Sequence, residues 1–117
     1  MEPLELAQIE KDIRDKSADL INKLNEQKRL VKTYADSERI YRIELRKEML
    51  LLKSDGMNAT LIPDIAKGNE KVAELRFKRD VDKGISFACK DAIESIQTVI
   101  SGLQSILSRH KTEIRLL

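Results

Sequence analysis

The chain has no tryptophan, and two phenylalanines and two tyrosines are its only aromatic residues. Sandwiches and small barrels lean on aromatic and β-branched side chains, so an aromatic content of 3% argues against both. A single cysteine, Cys89, excludes an internal disulfide framework and fits a reducing cytoplasm. The one histidine, His110, has neither a second histidine nor a cysteine at metal-ligand spacing. Phosphate loops and dinucleotide fingerprints are missing, and the many Asp/Glu pairs have no Gly-rich loop or histidine beside them. No catalytic, cofactor-binding or metal-ligating set is therefore expected, nor an enzymatic activity.

Other absences bear on location. Residues Met1 to Leu6 lack the basic start and apolar run of a secretory signal. No stretch approaches the roughly 18 consecutive apolar residues of a membrane span. The expectation is a cytoplasmic protein with no membrane partner. Charge of one sign is lacking too: 22 Lys and Arg stand against 20 Asp and Glu. Neither half is strongly polarised, which argues against a general polyanion binder.

What is present is helix. Proline occurs twice and glycine four times, and between Pro3 and Gly56 there is neither. Pro3 suits a first helical turn, where its missing N–H costs nothing, and Glu2 and Glu5 complement the helix dipole. Leu6, Ile13, Leu20, Gln27, Tyr34, Tyr41 and Glu48 recur every seven residues. Ser17, Leu24, Val31, Glu38, Leu45 and Leu52 form a companion row, completing a heptad seam with polar interruptions. One helix is predicted over about 3–54, roughly 75 Å long at 1.5 Å per residue.

A second helix is predicted over about 69–115, with Asn69 as its cap. Ile85, Ala92, Val99 and Ile106 make one heptad row, and Cys89, Ile96, Leu103 and His110 the other. Before Ile85 this seam slips, and Ala73, Phe77, Val81, Gly84 and Ala88 are expected to carry the contact. Between Ser95 and Ser108 no residue is charged. There Ile96, Val99, Ile100, Leu103, Ile106 and Leu107 cover more than one partner helix can bury. These six are the candidate oligomer interface of a homo-oligomer, most simply a dimer that doubles the hairpin into a bundle. The fold class is thus all-α, a long antiparallel helical hairpin in a single domain.

Residues 55–68 join the helices, with Gly56 placed to end the first and Thr60 to cap a short turn containing Pro63. The bend carries Met57, Leu61, Ile62 and Ile65, more apolar surface than a reversal needs. They either plug the end of the hairpin or dock a partner. Folding back also brings together Arg42 and Arg46 from the first helix and Arg76 and Arg79 from the second. Those clusters are either a solvated face laced with carboxylates or a surface for phosphate or an acidic partner.

The run Tyr41–Glu48 (YRIELRKE), the bend Gly56–Gly68 (GMNATLIPDIAKG), Val72–Asp80 (VAELRFKRD) and Ala92-Ile93 are similar to small phage and prophage proteins of Gram-positive bacteria. The resemblance covers roughly residues 40–107. It implies membership of an early-region group, encoded near recombination and single-strand-binding functions, and assigns no activity or site residue. Gly84 departs from the pattern and is expected to mark a kink or a close helix crossing. The expected function is that of a non-enzymatic phage accessory that binds a host or phage protein in the bacterial cytoplasm. Inhibition of a host defence or nuclease system is one such role. The alternative is a nucleic-acid-binding accessory that uses the clustered arginines.

Overall fold

A computed structural model describes residues 2–117. Three helices follow in order: α1 Pro3–Ser54, α2 Ile62–Lys67 and α3 Glu70–Leu116. No strand occurs among the described residues. The two long helices pair antiparallel, as the composition and heptads require.

Each helix end has a local cause. Pro3 opens α1, and the N–H groups of Glu5 and Leu6 bond the carbonyl of Glu2. At the other end Gly56 takes φ 85°, a conformation that costs side-chain-bearing residues about 1–2 kcal/mol. Gly56 N–H then reaches Lys53 O at 3.1 Å and Met57 N–H reaches Leu52 O at 3.1 Å, a Schellman closure that satisfies the last carbonyls. The next turn is organised by Asn58 and not, as expected, by Thr60. The Asn58 side-chain oxygen accepts from Thr60 N–H at 3.1 Å and Thr60 Oγ1 at 2.8 Å. α2 has no side-chain cap, and Pro63 sits in its first turn. Asn69 caps α3 as expected, its side-chain oxygen accepting from Val72 N–H at 3.2 Å.

Tertiary contacts divide into two compact units, one of residues 28–87 and one of residues 2–27 with 88–117. In the 28–87 unit, Leu30, Ser37 and Tyr41 of α1 are buried, as are Ile62 and Ala66 of α2 and Val72 and Ser86 of α3. Cross-helix ion pairs show the antiparallel sense: Lys71 meets Glu44 at 3.4 Å, and Arg79 meets Glu38 at 3.1 Å. In the other unit Cys89 and Ile93 are buried, with the Cys89 thiol donating to Lys23 O at 3.6 Å.

The α1 row from Leu6 to Glu48 faces inward as expected, and Ser17, Glu38, Leu45 and Leu52 of its companion are half-buried. Midway the companion shifts by one residue: Lys23 and Leu30 turn inward in place of Leu24 and Val31, which are 42% and 48% exposed, and Ser37 is buried beside Glu38. On α3 the row Cys89, Ile96, Leu103 and His110 faces inward as expected, while its companion and the stretch before Ile85 are corrected. The inward rows are Val72, Arg79, Ser86, Ile93, Ile100 and Leu107 beside Leu75, Asp82, Cys89, Ile96, Leu103 and His110, all buried or half-buried. The seam never slips; it keeps its seven-residue repeat and accepts Arg79, Asp82 and Ser86 within it. The stripe Ala73, Phe77, Val81, Gly84 and Ala88 faces outward, as do Ile85, Val99 and Ile106. Gly84 lies inside continuous α3, and a Cβ placed there meets nothing within 4 Å, so it marks neither a kink nor a close crossing within the chain.

Candidate functional site

The bend end of the 28–87 unit holds an open groove of about 390 Å³ between α1 and α2. Leu45, Met49 and Leu50 line it from α1, and Ala59, Ile62 and Pro63 from the bend and α2. Arg42, Arg46 and Lys53 complete the lining, and no carboxylate takes part. The groove exists because α1 carries the four-residue apolar run Met49–Leu52. Such a run covers more of a helix circumference than one seam can bury. Met49 and Leu52 are half-buried, while Leu50 and Leu51 remain 56% and 57% exposed.

A second cavity, about 260 Å³, shares Arg42 and Leu45 with the groove and adds Tyr41, Lys67, Arg76 and Arg79. Four basic side chains line it, and again no acid. The cations divide into two sorts. Arg79 is held in the fold: it bonds Glu38 at 3.1 Å and Asp80 at 2.9 Å, and lies over the Tyr41 ring at 4.6 Å from its centroid. Arg42 also bonds Glu38, whose carboxyl sits below its ordinary value because of that hydrogen bond first and the Arg79 contact second. Arg46, Lys53, Lys67 and Arg76 form no ion pair among the described residues. Their charge is uncompensated by the chain itself.

The other candidate residues separate just as clearly. Ile62 is buried and closes the groove wall, Met57 is half-buried, and Leu61 and Ile65 are 53% and 43% exposed on the outer side of α2. The bend therefore both plugs and presents: Ile62 and Ala66 go in, Leu61 and Ile65 stay out. Of the six residues proposed for an oligomer interface, Ile96, Ile100, Leu103 and Leu107 lie on the intrachain seam. Only Val99 and Ile106 face outward, 45% and 39% exposed. Reasoning from heptads missed Met49, Leu50 and Lys53 as groove residues. The signal was available in the Met49–Leu52 run, which no single seam explains.

Elsewhere the structure offers little chemistry. His110 Nδ1 lies 3.2 Å from Glu113, and the Cys89 thiol is buried in the seam. Among the described residues no three of His, Cys, Asp and Glu gather into a metal-holding group, and no helix is long and apolar enough to cross a membrane. What the bend end can do is bind: apolar side chains in the groove and negative charge at its rim. Comparison with protein-family models, with curated proteins and with solved structures finds no match for this chain.

Proposed function

We propose that the chain is a non-enzymatic docking protein that holds a partner protein at the groove between α1 and α2. The observation that carries this reading is the pairing of an apolar floor with rim cations, Arg46 and Lys53, that have no carboxylate of their own. Isolated exposed apolar residues are ordinary; a groove floored by them and ringed by uncompensated charge marks a recognition surface. The resemblance of residues 40–107 to early-region phage proteins favours a host or phage protein as that partner, with inhibition of a host defence or nuclease system as one outcome. Capture from a bacterial host lysate by wild type and by Leu50→Asp, compared by mass spectrometry, tests the reading. One protein should be lost with the substitution while helical content is unchanged; identical captured sets refute it.

Nucleic acid remains a second reading because Arg46, Lys53, Lys67 and Arg76 are uncompensated. A gel shift that weakens about 10³-fold or more between 50 and 200 mM salt, and disappears with Arg46→Glu plus Arg76→Glu, supports it. No shift at low salt removes it.

Self-association is a further part of the proposal. Phe77, Val81, Ile85, Val99 and Ile106 of α3 face outward, 68%, 42%, 47%, 45% and 39% exposed, and are the apolar surface a second copy would cover. A standard dimer buries about 800 Å² per partner. Light scattering should give twice 13.4 kDa at micromolar concentration, and a 13.4 kDa species throughout refutes the dimer.

A further inference from the structure

We propose that the occupant of the α1–α2 groove is an acidic amphipathic helix of the partner, an inference that rests on the docking reading above. Apart from Ala59 in the bend, the groove is walled by helices, and along α1 the backbone N–H and C=O groups of Arg42 to Met49 are already bonded within the helix. No strand edge is offered among the described residues. Recognition by strand addition is therefore excluded at this place, and side chains alone must do the work. That is the situation in which a helix lays an apolar face into a groove.

Dimensions agree with this. From Arg42 to Lys53 α1 advances about 16 Å at 1.5 Å per residue, the rise of three helical turns. Apolar anchors at i, i+3 or i+4, and i+7 span about 10 Å along a helix, which fits that track. Met49 at the groove floor supplies an unbranched, adaptable side chain that can shape itself to an incoming leucine or phenylalanine.

Charge selects the sign of the flanks. Arg46 and Lys53 stand along the groove, and Lys67 and Arg76 stand in the adjoining cavity that shares Arg42 and Leu45. Arg42 is already paired with Glu38, but carboxylates on the flanks of the bound helix complete pairs that the free protein leaves open at the other four. Single-stranded nucleic acid fits the same place poorly. No aromatic residue lines the groove, and Tyr41 in the adjoining cavity is 4% exposed, beneath Arg79. Bases would have no stacking platform, and phosphates would leave the apolar floor unused.

The test uses the full chain and four fluorescein-labelled probes, read by anisotropy in 50 and 200 mM NaCl. They are a 16-residue peptide with leucines at i, i+3, i+4 and i+7 and glutamates on the flanks, a scrambled peptide of the same composition, a version with lysine for glutamate, and an oligothymidylate. Saturable binding of the first alone is expected. Met49→Asp should weaken it at least about tenfold, as charge in an apolar anchor pocket does. Arg46→Gln with Lys53→Gln should weaken it about tenfold at 50 mM and less at 200 mM NaCl. Lys32→Gln, exposed and outside both cavities, should leave it unchanged. If circular dichroism shows that Met49→Asp has lost helix, Leu50→Lys takes its place. Equal binding of the scrambled or lysine peptide, or preferential binding of the oligothymidylate, overturns the proposal. Absence of peptide binding while the lysate partner is still captured through Leu50 overturns the helix and spares the docking reading; loss of both overturns both.

Discussion

Replacing Arg79 by methionine tests whether the polar stretch of the seam contributes to stability. Methionine keeps an unbranched stem of similar reach, so the change removes charge and hydrogen bonds more than packing. Three interactions are lost. The Asp80 contact is worth little, because that side chain is 55% exposed, and exposed pairs contribute about 0.2–1 kcal/mol. The Glu38 contact is stronger, with side chains only 19% and 24% exposed, so about 1 kcal/mol is reasonable for it. Stacking over Tyr41 adds about 0.5–1 kcal/mol. The expected loss is about 2 kcal/mol in all, or roughly 8 °C in Tm for a chain of this length. Urea unfolding followed at 222 nm, at one fixed protein concentration, measures Arg79→Met, Glu38→Gln and the double variant. A coupling of about 1 kcal/mol between the two positions is expected. Coupling indistinguishable from zero would refute the assignment of this pair as a stabilising cross-helix link.

Acid titration should reach the same network. Glu38 is held below its ordinary value of 4.5 by Arg42 and then Arg79, and Asp82 below 3.8 by Lys78, with the Ser37 hydroxyl also contributing. A lowered folded value stabilises the protein above the unfolded value, and the benefit is lost as pH falls through the folded one. Stability should therefore be level above the ordinary carboxylate range and decline below it, less steeply in Glu38→Gln; an identical acid limb in that variant would contradict the shift. Glycine substitutions should diverge in sign. Gly56→Ala forces alanine to φ 85° and should cost about 1–2 kcal/mol, whereas Gly84→Ala, with open space around it, should gain about 0.5–1 kcal/mol. Thermal melts of both decide it, and equal effects at the two positions would contradict the assigned backbone conformations.

Helix ends and helix pairing were legible in the sequence, because their causes are local. Gly56 and Asn69 act through bonds to residues within five positions, and Leu6 to Tyr41 repeat without ambiguity. One row of α3, Cys89, Ile96, Leu103 and His110, was legible, but its companion and the stretch before Ile85 were not, because hydrophobicity pointed to the wrong face. Phe77, Val81 and Ile85 are more apolar than Arg79, Asp82 and Ser86, yet the latter are turned inward. Phase explains the choice: Val72 before them and Ile93, Ile100 and Leu107 after them share one uninterrupted repeat. Slipping out of it for two turns would break the pairing on both sides. The cost of the polar residues is offset by partners on α1, Glu38 above all, and by the Lys78 ammonium beside Asp82. Such partners lie some forty residues away, at a distance that periodicity cannot report. The groove between α1 and α2 was half legible. The arginines and Ile62 were recognised as candidates, but Met49 and Leu50, which fall between the two heptad rows at Glu48 and Leu52, were given no role.

Site-specific photo-cross-linking tests the docking groove most directly. A benzophenone side chain in place of Leu50, 56% exposed in the groove, is compared with one in place of Leu4, 80% exposed at the start of α1. Irradiation in cells that make the protein should give one discrete adduct from position 50 and none of that mass from position 4. In lysate, excess leucine–glutamate peptide should suppress that adduct. The same adducts from both positions, or none from position 50, would contradict a docking groove between α1 and α2.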